Sequence, residues 1–191
     1  DVIELMRQTA VNTGFAISPW VRTMLVHPKF YETGVKQGLV RSPVDLMVAF
    51  MVACGTRARD NVPMWILEGM GQRPLFPPNV SGWKHNAYFV NASAMSQRTY
   101  AARHFGWRTM RGYWDGDGVI RLGGGTISRA EIESTYRNDP NGLVDRILQL
   151  MGLNPSASSR NALYAYSQAS QWWERNDLIP LALMMPDINV A

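Results

Sequence analysis

The 191-residue chain contains one cysteine, Cys54, so it can form neither an internal disulfide nor a multi-cysteine metal site. Its three histidines, His27, His85 and His104, show no H-x-x-x-H spacing, and no metal is expected. No apolar run approaches the roughly 18 residues of a membrane-spanning helix, so no span is expected. A G-x-S-x-G elbow, a G-x-G-x-x-G fingerprint and a Walker loop are all missing, and no cofactor is expected. The chain starts at Asp1 without a charged-then-apolar leader, so the expectation is either a removed leader or a piece of something longer. The most informative shortage is of negative charge. Residues 69–114 hold no Asp or Glu, while Arg73, Lys84, Arg98, Arg103, Arg108 and Arg111 all fall there. That argues against a glycosidase-type carboxylate pair within the stretch and marks a candidate positive surface facing an anionic partner or an acidic patch of the same protein. The competing reading is that these arginines pair with carboxylates from elsewhere in the fold.

What is present is globular. An apolar content of 46% with 18% charge leaves no disordered tail by composition, and the length suits a single helical domain spanning residues 1–191. Helical periodicity begins with Val2, Leu5, Met6 and Thr9 and stops before Gly14. Ser18-Pro19 reads as a cap and first helical residue, and His27-Pro28 as the end of that helix. Ser42-Pro43 with Asp45 predicts the start of a helix through Gly55, apolar at Val44, Met47, Val48 and Met51 and widened by Leu46, Phe50 and Val52, hence buried on most sides. Asp60 is the predicted cap of a helix carrying Val62, Trp65, Ile66 and Met70. Asn91 or Ser93 caps another that reaches about His104. Residues 114–128, with Gly123, Gly124 and Gly125 between short β-friendly pieces, predict a small hairpin. Ser128 with Glu131 is a capping box, Asp139-Pro140-Asn141-Gly142 a turn, and Leu143–Met151 a helix closed by Gly152. Helices from about Ser158 to Trp173 and from Leu178 to Met185 complete a mainly α fold: an irregular multi-helix domain with at most one small hairpin.

Between these helices lies GMGQRPLFPPNVSGWKHNAYFVN, residues 69–91. Its prolines bar helix and central strand, yet Leu75, Phe76, Val80, Trp83, Tyr88, Phe89 and Val90 are too apolar for a solvated linker. The expectation is an ordered loop packed by its own side chains, the kind of loop that carries function. Within it His85, beside Lys84, is the candidate acid or base, with Asn79, Trp83 and Asn91 as pocket-lining partners. The plainer reading makes Trp83 and Phe76 plugs of the core. Beyond the loop, Arg98, Arg103, Arg108 and Arg111 interleave with Tyr100, Trp107, Tyr113 and Trp114, a composition that suits an anionic glycan or nucleic acid. No nucleic-acid module is recognisable, so nucleic acid is not favoured. Asp115-Gly-Asp117-Gly118 imitates the middle of a calcium loop, but that register puts Tyr113 at the first position and Gly124 at the twelfth, so a turn is expected. Cys54, in an apolar helix, is expected to be inert core.

Three segments resemble a large bacterial family, the domain of unknown function numbered eighteen hundred. His27 to Gly55 is similar to its Pro-Phe and Lys/Arg-Ser-Pro-acid stretch ahead of a long buried helix. Met70 to Arg98 resembles its hallmark Met-Gly-Gln-Pro-Leu-Phe, Pro-Pro-Asn and Gly-Trp, followed by an aromatic–aliphatic–Asn helix start. Leu178 to Asn189 is similar to its closing segment. This sequence departs from the pattern at Arg73, which interrupts Gln-Pro, and at Lys84, His85 and Asn86, where Pro-Gly-Gly is usual. Phe89 replaces a Trp, and Met185-Pro186-Asp187-Ile188 replaces Ser-Pro-Glu-Phe. The resemblance implies the C-terminal part of a longer member, export to the periplasm or the medium, and a protein partner or the N-terminal half as the neighbour. It implies no activity and no catalytic residues. The expected function is therefore a non-catalytic binding or scaffold role through a basic, aromatic surface, with Asn79, Trp83, Lys84, His85, Asn91, Arg98, Arg103 and Trp107 as candidate binding residues. The alternative is an enzyme acting on a carbohydrate or anionic substrate at the Pro77–His85 loop.

Overall fold

Helix caps set most of the boundaries. In the computed structural model, which describes residues 1–36, 38–57, 63–171 and 174–190, the described residues are mainly helical with one two-stranded antiparallel sheet. They gather into two compact units, residues 1–39 with Val190, and residues 40–189.

The first unit holds α1 (Val2–Asn12), α2 (Ile17–Val26), a 3-10 turn (Pro28–Tyr31) and α3 (Thr33–Lys36). The Asp1 carboxylate accepts from the Ile3 N–H and caps α1. The chain turns through Gly14 and Phe15, both at positive φ (59° and 62°). Helix α2 begins two residues earlier than Ser18-Pro19 predicts, with Ala16 at the cap and no side-chain capping bond. Pro19 is accommodated because first-turn N–H groups need no intrahelical partner. The helix stops at Val26, ahead of His27-Pro28, as predicted. None of the described residues 1–39 is buried, and Ile3, Phe15 and Ile17 are largely exposed.

The second unit contains α4 (Pro43–Ala53), α5 (Met64–Gly69), α6 (Ala92–Asp115), β1 (Val119–Leu122), β2 (Gly125–Ser128), α7 (Arg129–Asn138), α8 (Pro140–Met151), α9 (Ala157–Ala169) and α10 (Leu178–Met184). The Ser42–Asp45 capping box on α4 is complete. Only part of the apolar arc of α4 is buried: Leu46, Met47, Phe50 and Ala53 face the core, while Val48 and Val52 are exposed, correcting the expected all-round burial. The predicted cap at Asp60, with Val62, lies outside the described residues, and the helix expected to run through Trp173 ends earlier, at Ala169, with an extended Ser170 as its C-cap. Ser128 Oγ accepts from the Glu131 N–H at 3.1 Å, and the Glu131 carboxylate accepts instead from Arg146 at 3.2 Å. Asp139, expected in a turn, caps α8 by accepting from Gly142 N–H at 2.9 Å, with Pro140 as the first helical residue. Gly152 closes α8 in the left-handed conformation at φ 67°.

The spine of this unit is α6, which is 24 residues long and runs eleven residues past the predicted end near His104. Ala94, Arg98, Ala101, Ala102, Phe105 and Met110 recur at helical spacing on its buried side. Gly106 has no side chain because Pro180 of α10 lies against it; a Cβ there would come within 2.8 Å of the proline ring. Phe50 and Phe105 meet with centroids 6.0 Å apart. The hairpin β1–β2 pairs Val119 with Ser128 and Ile120 with Ile127, so Ile120, Leu122 and Ile127 enter the core. Its tip plugs two helix ends: Gly123 N–H donates to the Ala53 carbonyl of α4 at 3.0 Å, and Gly124 N–H to the Leu150 carbonyl of α8 at 2.6 Å. A Cβ on Gly123 would lie 2.0 Å from the Val52 carbonyl oxygen. No described helix is long and apolar enough to cross a membrane.

Candidate functional site

Residues 70–91 run from α5 to α6 without regular structure except a 3-10 turn over Asn86–Phe89. Polar side chains pin this loop at four points. Gln72 Oε1 accepts from Val44 N–H (3.0 Å), and Asn86 Oδ1 from Val40 N–H (2.8 Å). Asn79 Oδ1 accepts from Ser81 N–H (2.8 Å), and Asn91 Oδ1 from Ala94 N–H (2.9 Å), so that of the two expected caps, Asn91 and Ser93, it is Asn91 that caps α6. The expected burial of the loop's apolar residues is overturned. Phe89 alone among those named is buried and Trp83 is half-buried, whereas Leu75, Phe76, Tyr88 and Val90 are exposed and Val80 is fully so, at 107%. Among the described residues no second apolar layer covers them, so Phe76 is no core plug; its ring instead receives the Arg73 guanidinium at 4.4 Å. Arg73 also pairs with Glu68 at 3.2 Å. Lys84 and His85 are exposed, and no side-chain hydrogen bond joins Asn79, Trp83, Lys84 and His85 to one another.

Arg98 stands apart from the other arginines. It is 3% exposed and serves the fold: Nη1 donates to Asn189 Oδ1 at 2.9 Å and Nη2 to the Arg41 carbonyl at 2.7 Å, while its Nε has no partner. Burial lowers the pKa of its guanidinium. A surface role for Arg98 is thus corrected. Helical geometry explains the separation, because five residues place Arg98 about 140° around the helix from Arg103.

Arg103 and Trp107 do share a face. Tyr100, Trp107 and Trp114 stand at intervals of seven, each about half exposed at 48%, 50% and 52%. Seven residues advance an α-helix by about 10.5 Å with little rotation, so the three rings form one stripe roughly 21 Å long. Arg103, His104, Arg108 and Arg111 lie between and beside the rings, and together these residues line an open concavity of about 750 Å³. Trp65 of α5 extends the stripe, its ring centroid 5.2 Å from that of Tyr100. Arg103 and Arg111 make no ion pair among the described residues.

His104, read from the sequence as a lone histidine, sits at the base of this face, and its Nε2 is buried without a hydrogen-bond partner. Burial lowers its pKa, and Arg108 and Arg111 lower it further. The face therefore presents flat aromatic surface and fixed guanidinium charge. It can stack on a planar or apolar group and pair with carboxylates. Among the described residues, no three His, Cys, Asp or Glu side chains are placed to hold a metal ion.

Sequence reasoning reached most of this stripe through the interleaving of aromatics and arginines, but missed Trp65 and the place of His104. A second basic pocket, lined by Arg129, Glu133, Tyr136, Arg137 and Arg175, was also missed. Its only signal in the sequence is the four-residue spacing of Arg129, Glu133 and Arg137. No curated protein and no solved structure matches the chain. The family model described as "Protein of unknown function (DUF1800)" matches residues 1–190, and the chain belongs to that family.

Proposed function

We propose that the protein is a non-catalytic binding unit that docks a protein partner on the exposed face of α6. The observation that carries this reading is the stripe of Tyr100, Trp107 and Trp114, half exposed at seven-residue intervals with Arg103, Arg108 and Arg111 along it. Tyr, Trp and Arg are the residues enriched at the centres of protein interfaces and among their energetic hot spots, whereas Lys is depleted there. This face contains no lysine and no carboxylate from residue 92 to 114. A partner that covers the rings and brings acidic groups to Arg103 and Arg111 suits both its apolar and its charged parts. The exposed Leu75, Phe76 and Val80 give the same molecule a further apolar surface that a large partner would cover. The family resemblance is what supports an exported location, in the periplasm or outside the cell, and fractionation of the producing cells tests it.

Hydroxyl-radical footprinting of the protein in its native assembly and in isolation tests the proposal. Tyr100, Trp107 and Trp114 are expected to be oxidised in isolation and protected in the assembly. Equal oxidation of all three in both states would remove α6 as the docking face.

A further inference from the structure

We propose that the pocket beside α7 is a second and separate site, one that binds a small molecule carrying a carboxylate or a phosphate group. Arg129, Glu133 and Arg137 follow one another at four-residue spacing and so share one face of α7. Arg175, from the 3-10 turn Glu174–Asp177, reaches the same place from another part of the chain. The described lining thus presents three guanidinium groups and one carboxylate around a cavity of about 360 Å³, a volume suited to a small ligand.

The geometry organises these groups for an anion. Glu133 Oε1 accepts from Arg129 Nε at 3.0 Å, and Arg175 Nη2 lies 3.3 Å from the same oxygen. The Arg175 side chain is 2% exposed, so its orientation is fixed by burial and by Glu133 before any ligand arrives. Arg137, one turn beyond Glu133, is exposed and makes no ion pair among the described residues. The Tyr136 hydroxyl donates to the Ser170 carbonyl, which holds the aromatic ring as a wall of the pocket. The hydrogen bond from Arg129 lowers the pKa of the Glu133 carboxyl against a smaller effect of burial, with Arg175 and Arg137 adding to the lowering, as a positive potential inside the pocket requires. Planar guanidinium forks match carboxylate and phosphate oxygens in pairs, and the sign of the field rejects amines and metal cations. The α6 stripe takes no part in this site, because none of its residues lines the pocket.

The test is a titration of the whole chain, followed by amide chemical shifts at low ionic strength, with inorganic phosphate, with succinate, and with glycerol as a neutral control. A saturable one-site change is expected at residues around Tyr136, Arg137 and Arg175 with phosphate or succinate and not with glycerol. The anion that binds names the ligand class. Arg137→Gln, an exposed substitution that leaves the fold intact, is expected to weaken binding by about tenfold or more. The double variant Arg103→Gln/Arg111→Gln is expected to bind as the parent does. Failure of both anions to saturate, or equal affinity in the Arg137→Gln variant, overturns the proposal. So does loss confined to the double variant, which would assign the anion to α6.

Discussion

The hairpin at residues 119–128 and the loop at residues 70–91 are both punctuated by glycine and both rich in apolar side chains, yet the hairpin buries them and the loop leaves most of them exposed. The hairpin buries Ile120, Leu122 and Ile127 and gives its tip N–H groups to the carbonyls of Ala53 and Leu150. The loop exposes Leu75, Phe76, Val80, Tyr88 and Val90, and its order comes from polar side chains that bind backbone groups. The difference lies in donors and alternation. A strand with free N–H groups and period-two apolar residues can pair and lay one face on a core. A segment broken by Pro74, Pro77 and Pro78 cannot pair along its length, and its side chains point wherever the turns send them. Glycine in the hairpin permits close backbone approach, whereas in the loop at Gly71 and Gly82 it supplies positive φ with open space around it.

Substitutions can break or sharpen this contrast. The largest effect is expected at Gly123→Ala, where the new methyl meets the Val52 carbonyl; the loss should reach about 3 kcal/mol in denaturant unfolding. Cys54, which follows Ala53, offers a second readout of the same change. Burial pushes its thiol up to about 11, against a weaker opposing hydrogen bond with Thr109, so in the parent it should resist thiol reagents at pH 8 until the protein unfolds. In the alanine variant the labelling rate should rise.

Arg98→Ala leaves Asn189 and the Arg41 carbonyl without their donor and is expected to cost about 2 kcal/mol by the same unfolding measurement. Asn91→Ala removes the cap at the junction of loop and helix, with an expected loss of about 1 kcal/mol and amide exchange fastest in the first turn of α6. The smallest effect is expected at Val80→Ser, within about 0.5 kcal/mol of the parent, because the side chain touches little. A larger loss there would show that the loop packs against something after all.

How much of this was legible in the sequence depends on the residue. The caps at Ser42 and Asn91 and the stop at Gly152 were readable because a short polar side chain or a glycine acts within three residues of itself. The length of α6 was not. Gly106 reads as a weak point in a helix, and only its contact with Pro180, a residue 74 positions away, explains why the helix continues. The apolar loop misled for a different reason: hydrophobicity says what a side chain would gain from burial, not whether the chain has a surface to offer it. Arg98 was legible in principle, since it shares the helical phase of Ala94, Ala101, Ala102 and Phe105. The basic pocket was not, because Arg175 joins α7 only through the tertiary fold.

The Arg98 clamp also bears on how residues 40–189 are joined to other sequence. Arg41 N–H donates to the Asn189 carbonyl at 2.8 Å, and the Arg98 guanidinium ties both residues to the second turn of α6. The polypeptide thus enters and leaves this unit at one point, as domains carried inside a host loop do. Such a unit can be moved, inserted or circularly permuted by cutting an exposed loop such as the one around Val80 and joining the adjacent ends, with no stretching of its core.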